Sequence, residues 1–395
     1  MRLANRLAKL QSNVFSVMDE AKALARGSGK TIIDLSLGSS DLSAPEHALQ
    51  AIRTALADAS SHGYLLFHGT RSFREACADW YELRYGLRLD PDSEVLPLIG
   101  SQEGTAHLPL AVLNPGDVAL LLDPGYPSHS GGVHLAGGQV YPLSLLPENG
   151  FLPQLERIPA EVVAQSRMLV LSYPHNPTAA LAPLEFFEQA VSFCRTHDIV
   201  LVHDFPYADM AFEGYRPPSI LQADPGRTVA IEFFSLSKSY HMGGFRIGFA
   251  VGNRALVAAL RQVKTCVDFN QYRGILDGAV AALRGPQDHV QIANSVFHSR
   301  RDRTLGALAR AGWSVPTPQA TMYLWAALPP QWSDRSVEFC VRLVEQTGVA
   351  LAPGAGFGRA GEGYVRFALV HTEEVLEDAV ERTASFLRTA NHQSS

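Results

Sequence analysis

Apolar positions along this chain gather into short runs separated by turn residues, and the runs recur at regular intervals. Seven of strand length lie at 95–99, 118–122, 139–143, 168–172, 199–203, 229–234 and 245–251. Helical periodicity fills most of the gaps, as over residues 185–196. Short apolar strands alternating with helices predict a mostly parallel sheet covered on both faces. In such sheets ligands bind beyond the carboxyl ends of the strands. Pro109 falls inside the helix expected after Ser101 and predicts a kink there.

The flanks follow different rules. An arm and a helix over 17–26 end at Gly27-Ser28-Gly29, and a short strand over 31–37 closes on Gly38-Ser39-Ser40-Asp41. Helices are expected over 45–57 and, after Ser61-His62-Gly63-Tyr64, over 72–85. Past Gly285-Pro286 come a long helix over 287–311, strands at 322–327 and 364–370, and helices at 336–347 and 373–389. This predicts an α/β protein with a large domain over 46–285. A smaller α+β domain over 286–395 is completed by residues 1–45.

Composition sharpens the picture. Of 395 residues 46% are hydrophobic and only 18% charged, which favours a large core and a buried subunit interface. The net charge of -6 leaves no basic stripe, so nucleic acid is not an expected partner. Cys77, Cys194, Cys266 and Cys340 show no metal-ligand spacing and are expected as reduced thiols. No apolar run is long enough to span a membrane, and a soluble, cytoplasmic protein is expected. Apart from a polar tail over 391–395 there is no low-complexity segment and no repeat.

The polar residues at the strand ends carry the candidate chemistry. Gly100-Ser101-Gln102-Glu103-Gly104 opens a helix, and its free N–H groups make either a phosphate cradle or an ordinary capped turn. Asp123-Pro124-Gly125-Tyr126-Pro127 presents an aromatic ring, and Tyr173-Pro174-His175-Asn176-Pro177-Thr178 holds Asn176 on a proline-restricted backbone. Asp204 ends a strand and is either a shielded carboxylate in need of a partner or a helix N-cap. Lys238 follows the buried strand 229–234, with serines one and three positions before it. A lysine so placed can be desolvated and held as the free amine, which forms a Schiff base with an aldehyde. Arg246, eight residues on, offers a fixed charge suited to phosphate. In Tyr364-Val365-Arg366-Phe367-Ala368-Leu369, alternation turns Arg366 away from the face of Val365, Phe367 and Leu369.

The pattern Ser-x-Ser-Lys with Arg eight residues later, preceded by Asn-Pro-Thr at Asn176 and Asp-x-x-Tyr at Asp204, resembles the class I/II aminotransferases of fold type I. These enzymes carry pyridoxal 5'-phosphate. The similarity extends over nearly the whole chain. It is nearest to the branch labelled LL-diaminopimelate or aspartate aminotransferase-like, through residues 237–246 and Gly361-Glu362-Gly363-Tyr364-Val365-Arg366-Phe367.

The resemblance implies roles for the matching positions. Lys238 is the Schiff-base lysine, and Asp204 pairs with the protonated pyridine nitrogen. Tyr207 and Asn176 hydrogen-bond the ring 3-oxygen, Asn176 also bordering the substrate, and Tyr126 stacks on the ring. Ser101, the amides of Gln102 and Glu103, Ser235 and Arg246 hold the phosphate. Arg366 clamps the substrate α-carboxylate, which Gly38 lets the backbone approach. Tyr64 reaches the cofactor phosphate of a neighbouring subunit, so that a twofold homodimer shares its sites.

The implied reaction is a ping-pong transfer of an amino group from an α-amino acid to a 2-oxo acid. A β-eliminating lyase would use the same cofactor contacts. A regulator with an aminotransferase-like module would need a DNA-binding segment, and none is evident. Two departures stand out: Ala179 follows Thr178 where the family often has glycine, and Phe205-Pro206 follows Asp204. Arg71, Arg273 and Arg359 are the candidates for a second carboxylate, and none lies in a motif.

Overall fold

The computed structural model describes residues 3–10 and 14–392, so residues 393–395 of the expected polar tail lie outside it. The chain opens with α1 (Val14–Gly27), β1 (Ile33–Asp34), α2 (Glu46–Ala57) and α3 (Arg71–Tyr85). The strand expected over 31–37 shortens to two residues, Ile33 and Asp34, which pair with Val349 and Ala350. Gly86, at φ 69°, stops α3 in the left-handed conformation that glycine takes without strain.

A regular alternation follows: β2 (Val95–Leu98), α4 (Ser101–Val112), β3 (Val118–Asp123), α5 (Pro127–Leu135) and β4 (Gln139–Ser144). Next come α6 (Ala160–Gln165), β5 (Ser166–Leu171), α7 (Leu184–His197), β6 (Val200–Asp204), α8 (Ile220–Ala223) and β7 (Ala230–Ser235). The chain then runs through α9 (Leu236–Ser239), β8 (Gly248–Gly252), α10 (Arg254–Val267) and α11 (Arg273–Arg284). The seven strands form one sheet in the order β2-β8-β7-β6-β5-β3-β4. Only β8 runs against the direction of the other six.

Apart from the edge strand β4, the sheet is buried on both faces, as a parallel sheet requires. Leu120, Leu122, Leu169, Leu171, Leu201 and Phe234 meet Phe73 and Trp80 of α3 and Phe187 of α7. The alternate positions Leu121, Met168, Val170, Val202, Ile231 and Phe233 meet Leu108 of α4 and Val257 and Leu260 of α10. The period of two along each strand produces this division.

One expectation changes in detail. Residues 245–247 are not strand: Gly243–Phe245 is a 3-10 turn and Arg246 has φ 51°, so β8 begins at Gly248. Pro109 lies inside α4, which runs on to Val112.

The last segment comprises α12 (Asp288–Arg310), β9 (Tyr323–Ala327), α13 (Ser336–Thr347), β10 (Val349–Ala350), β11 (Ala352–Pro353), β12 (Tyr364–Ala368) and α14 (Glu373–His392). A three-stranded antiparallel sheet, β11-β12-β9, lies at its centre. Val365, Phe367 and Leu369 enter a core with Leu324, Phe339 and Leu376, together with Met18 and Ala21 of α1. Thus the N-terminal residues pack with the C-terminal ones. Cys77, Cys194 and Cys340 are buried, Cys266 is exposed, and none is paired. Among the described residues no helix is long and apolar enough to cross a membrane.

Candidate active site

A cavity of about 970 Å³ opens beyond the carboxyl ends of the strands. β2 is antiparallel to β8 and β8 to β7, so the loops after β2, β3, β5, β6 and β7 all reach this edge. They bring Ser101, Gln102, Tyr126, Asn176, Asp204, Tyr207, Ser235, Lys238 and Arg246 to its walls. Gly38 lies on the wall, and so does Arg366 from the smaller sheet. Of the candidates read from the sequence, Glu103 and Tyr64 do not line it.

Lys238 lies in α9, whose N-cap Ser235 accepts a hydrogen bond from the Ser237 amide. Its Nζ donates to the Gly38 carbonyl at 2.5 Å and lies 5.9 Å from the centre of the Tyr207 ring. Asp204, the last residue of β6, is 5% exposed. Its Oδ2 contacts His129 Nε2 at 3.0 Å, the partner a buried carboxylate requires. Its Oδ1 is buried with no hydrogen-bond partner among the described residues. Tyr126 and His129 share the start of α5, their rings 5.7 Å apart and nearly perpendicular. One helix end thus supplies both the aromatic wall and the support for Asp204.

Beneath Asp204 lies a second polar set. Glu232, wholly buried in the middle of β7, accepts from Tyr81 Oη and Ser219 Oγ, each at 2.7 Å, and from the Ile220 amide at 2.9 Å. His203 Nδ1 lies 2.6 Å from it, and its Nε2 contacts the Tyr173 carbonyl at 3.0 Å. This network holds the ends of β5 and β6 in place.

At the start of α4 the helix N-terminus faces the cavity, a setting that favours an anion. Gly100 has φ 73°, and a Cβ there would lie 2.6 Å from Arg246 Nη2. Glycine therefore lets the guanidinium close against the turn. Glu103 corrects the sequence reading. Its amide donates to the Gly100 carbonyl at 3.1 Å, and its carboxylate turns inward to Lys264 Nζ, 2.9 Å from both oxygens. Burial raises the Glu103 carboxyl to about 7 even against the opposing charge of Lys264. His107 and Asp268 also converge on this point, around the Lys264 ammonium.

Arg366 is 5% exposed and has no carboxylate partner among the described residues. Nη1 donates to Asn176 Oδ1 and Nη2 to the Ser36 carbonyl, each at 2.7 Å. Its guanidinium lies 4.2 Å from the Tyr323 ring centre and 4.7 Å from that of Phe357. The buried Nε has no hydrogen-bond partner among the described residues. Asn176 therefore meets Arg366 directly, while the hydroxyl of Tyr207 meets that of Tyr323 at 2.8 Å. Tyr64 is 95% exposed, its ring edge-on to Phe269.

Sequence reasoning missed His129 and Tyr323. His129 follows Tyr126 by one helical turn, a signal that gains meaning only once Asp204 is known to be buried. Tyr323 sits in a strand without a motif. None of Arg71, Arg273 and Arg359 reaches the cavity; Arg71 pairs with Glu75 and Asp92, and Arg273 with Asp277. Ala179 has φ 59°, a conformation that glycine would adopt at lower cost.

The donors fit pyridoxal phosphate. The helix end and Arg246 suit its phosphate, the free Asp204 oxygen suits a ring N–H, and Lys238 suits its aldehyde. Together with the sheet they define a fold type I pyridoxal-phosphate enzyme. The chain belongs to the aminotransferase class I and II family, whose profile matches residues 30–382. It is 43% identical over 383 residues to LL-diaminopimelate aminotransferase 2 of Nostoc sp., covering 97% of this chain and 98% of that one. It is 42% identical over 386 residues to LL-diaminopimelate aminotransferase of Dehalococcoides mccartyi, covering 98% and 99%. Its fold matches a probable N-succinyldiaminopimelate aminotransferase from Thermus thermophilus with a TM-score of 0.89 at 46% identity, over 94% and 99% of the two chains. Substrate-bound BacF from Bacillus subtilis gives 0.93 at 33%, over 98% of each.

Proposed function

We propose that the protein transfers an amino group from an α-amino acid to a 2-oxo acid, working in two half-reactions through Lys238. One observation carries this reading: a lysine amine, a buried carboxylate oxygen without a partner and a buried arginine without a counter-ion line one cavity. Pyridoxal phosphate, when bound, supplies an aldehyde for amine exchange and a conjugated ring that takes up the electron pair released at the substrate Cα.

The chain's own groups do the rest. Asp204 Oδ1 accepts the ring N–H and keeps that nitrogen protonated, while His129 holds the carboxylate in place. Ser101, Gln102, Ser235 and Arg246 bind the phosphate. Tyr207 donates to the ring 3-oxygen. Arg366 takes the substrate α-carboxylate between the rings of Tyr323 and Phe357, with Asn176 and the Ser36 carbonyl fixing its plane. This orients the Cα–H bond toward Lys238, whose Nζ removes the proton and later returns it.

The same reading makes the protein a homodimer in which Tyr64 reaches the partner's phosphate site; its almost full exposure in one chain supports this. It also divides the chain at residues 45 and 285, consistent with α1 and β1 packing against the C-terminal sheet region.

The test has two parts. Borohydride reduction followed by peptide mapping should leave the pyridoxyl group on Lys238, and a label on another lysine would reject the assignment. Donors including LL-diaminopimelate, N-succinyldiaminopimelate, glutamate and aspartate are then offered with pyruvate, 2-oxoglutarate or oxaloacetate. A new amino acid without ammonia is expected. Ammonia and an oxo acid with no amino product would identify a lyase instead.

A further inference from the structure

Tyr323 belongs to β9 in the smaller sheet, while Tyr207 follows β6 in the larger one, and their hydroxyls meet at 2.8 Å. Both side chains are 2% exposed. The contact is rigidly backed: Thr321 N donates to the Met210 carbonyl and Phe212 N to the Gln319 carbonyl, each at 2.8 Å. Neither tyrosine can drift without breaking this bridge.

Tyr323 also touches the two other working groups. Its ring lies 4.2 Å from the Arg366 guanidinium carbon. Its hydroxyl packs so closely on Gly38 that a Cβ there would lie 1.9 Å away, and the Gly38 carbonyl holds Lys238 Nζ.

A phenol carries one proton. If Tyr207 gives its own to the cofactor 3-oxygen, the proton in the 2.8 Å contact must be that of Tyr323. We propose that Tyr323 is a positioning residue that donates to Tyr207 and thereby couples occupancy of the Arg366 clamp to the strength of Tyr207's bond with the 3-oxygen. This rests on the roles given above to Tyr207 and Arg366.

The electrostatics agree in direction. Burial pushes the Tyr323 phenol up, but the positive charges of Arg366 and Lys238 pull it down, and it lies below its ordinary value. Burial and the neighbouring Tyr323 push Tyr207 well above. The better donor is therefore Tyr323, and chained donation strengthens the next bond. The groups facing the pair are Arg366 on β12, Lys238 on α9 and Tyr126 before α5. A substrate carboxylate at Arg366 cancels the largest positive field on Tyr323. Donation along the chain then weakens, the 3-oxygen keeps more negative charge, and the bound cofactor holds its proton to higher pH.

The experiment follows the pH midpoint of the cofactor absorbance in the holoenzyme, with and without maleate, a dicarboxylate that has no amine to transfer. In the wild type maleate should raise the midpoint. In Tyr323→Phe the free midpoint should already be raised by about half a pH unit or more, and the maleate increment should fall to less than about half. Incorporation of 3-fluorotyrosine at 323, a stronger acid that keeps the hydroxyl, should lower the free midpoint. If Tyr323→Phe keeps both wild-type values while Tyr207→Phe moves the midpoint, the coupling is overturned and the role of Tyr207 stands. If Tyr207→Phe also leaves the midpoint unmoved, both fall.

Discussion

Two buried histidines near the cofactor seat use their nitrogens differently. His129 supports Asp204, whereas His175 contacts Thr178 Oγ1 at 2.8 Å and leaves Nε2 without a partner among the described residues. Burial, with a smaller contribution from His129, lowers His175 from 6.5 to about 3. The unfolded chain therefore takes up this proton near pH 6.5, while the native form stays neutral. Stability from His175 is complete above pH 6.5 and is lost as pH falls toward 3, at up to about 1.4 kcal/mol per pH unit. His241, lowered to about 4 mainly by burial, adds a loss of the same sign. Urea unfolding of His175→Asn should show a flatter pH dependence between about 6.5 and 4.5 than the wild type. Equal slopes would assign the acid loss to other groups. At this scale Lys238, Asp204 and Arg366 were legible, because a charged residue next to an apolar strand stands out. His129 was not, since its partner is 75 residues away.

Among the elements, the predicted strands and most predicted helices lie where the apolar runs place them, with differences at their ends, whereas the two-residue strands β10 and β11 were not foreseen. β7 shows the limit of that signal: its apolar run contains Glu232, which the side chains of Tyr81, Ser219 and His203 and the Ile220 amide make tolerable. The α4–α10 contact is similar. Lys264 and Glu103 are 3% and 7% exposed and lie 161 positions apart. Removing Lys264 leaves Glu103 buried without its cation, so it must carry an unpaired charge or take up a proton. Lys264→Met should cost about 3 kcal/mol in urea unfolding, and adding Glu103→Gln should restore much of it. A double variant as unstable as Lys264→Met would mean that the packing of the long side chain, not its charge, matters.

At the scale of the molecule, the cavity is closed by parts distant in the chain. Ser36 meets Arg366, Gly38 meets Lys238, and Tyr207 meets Tyr323. Tyr64 is exposed beside Phe269, and in the homodimer proposed above it is the group that a second subunit would bury. Tyr64→Ala and Lys238→Ala subunits, each weak or inactive alone, should regain activity as they exchange. Each mixed dimer then holds one site with Lys238 from one chain and Tyr64 from the other. Mixed dimers no more active than their parents would show that Tyr64 acts within its own chain or not at all.

The order of strands and helices and most of the residues that line the cavity were legible in the sequence alone, because those residues sit at strand ends and each strand announces itself locally. The tertiary structure decided the direction of β8, the inward turn of Glu103, the pairing of His129 with Asp204 and the hydroxyl contact of Tyr207 with Tyr323. Each of these depends on which distant side chain shares a buried space, and a buried polar atom is satisfied by proximity in space, whatever its spacing along the chain.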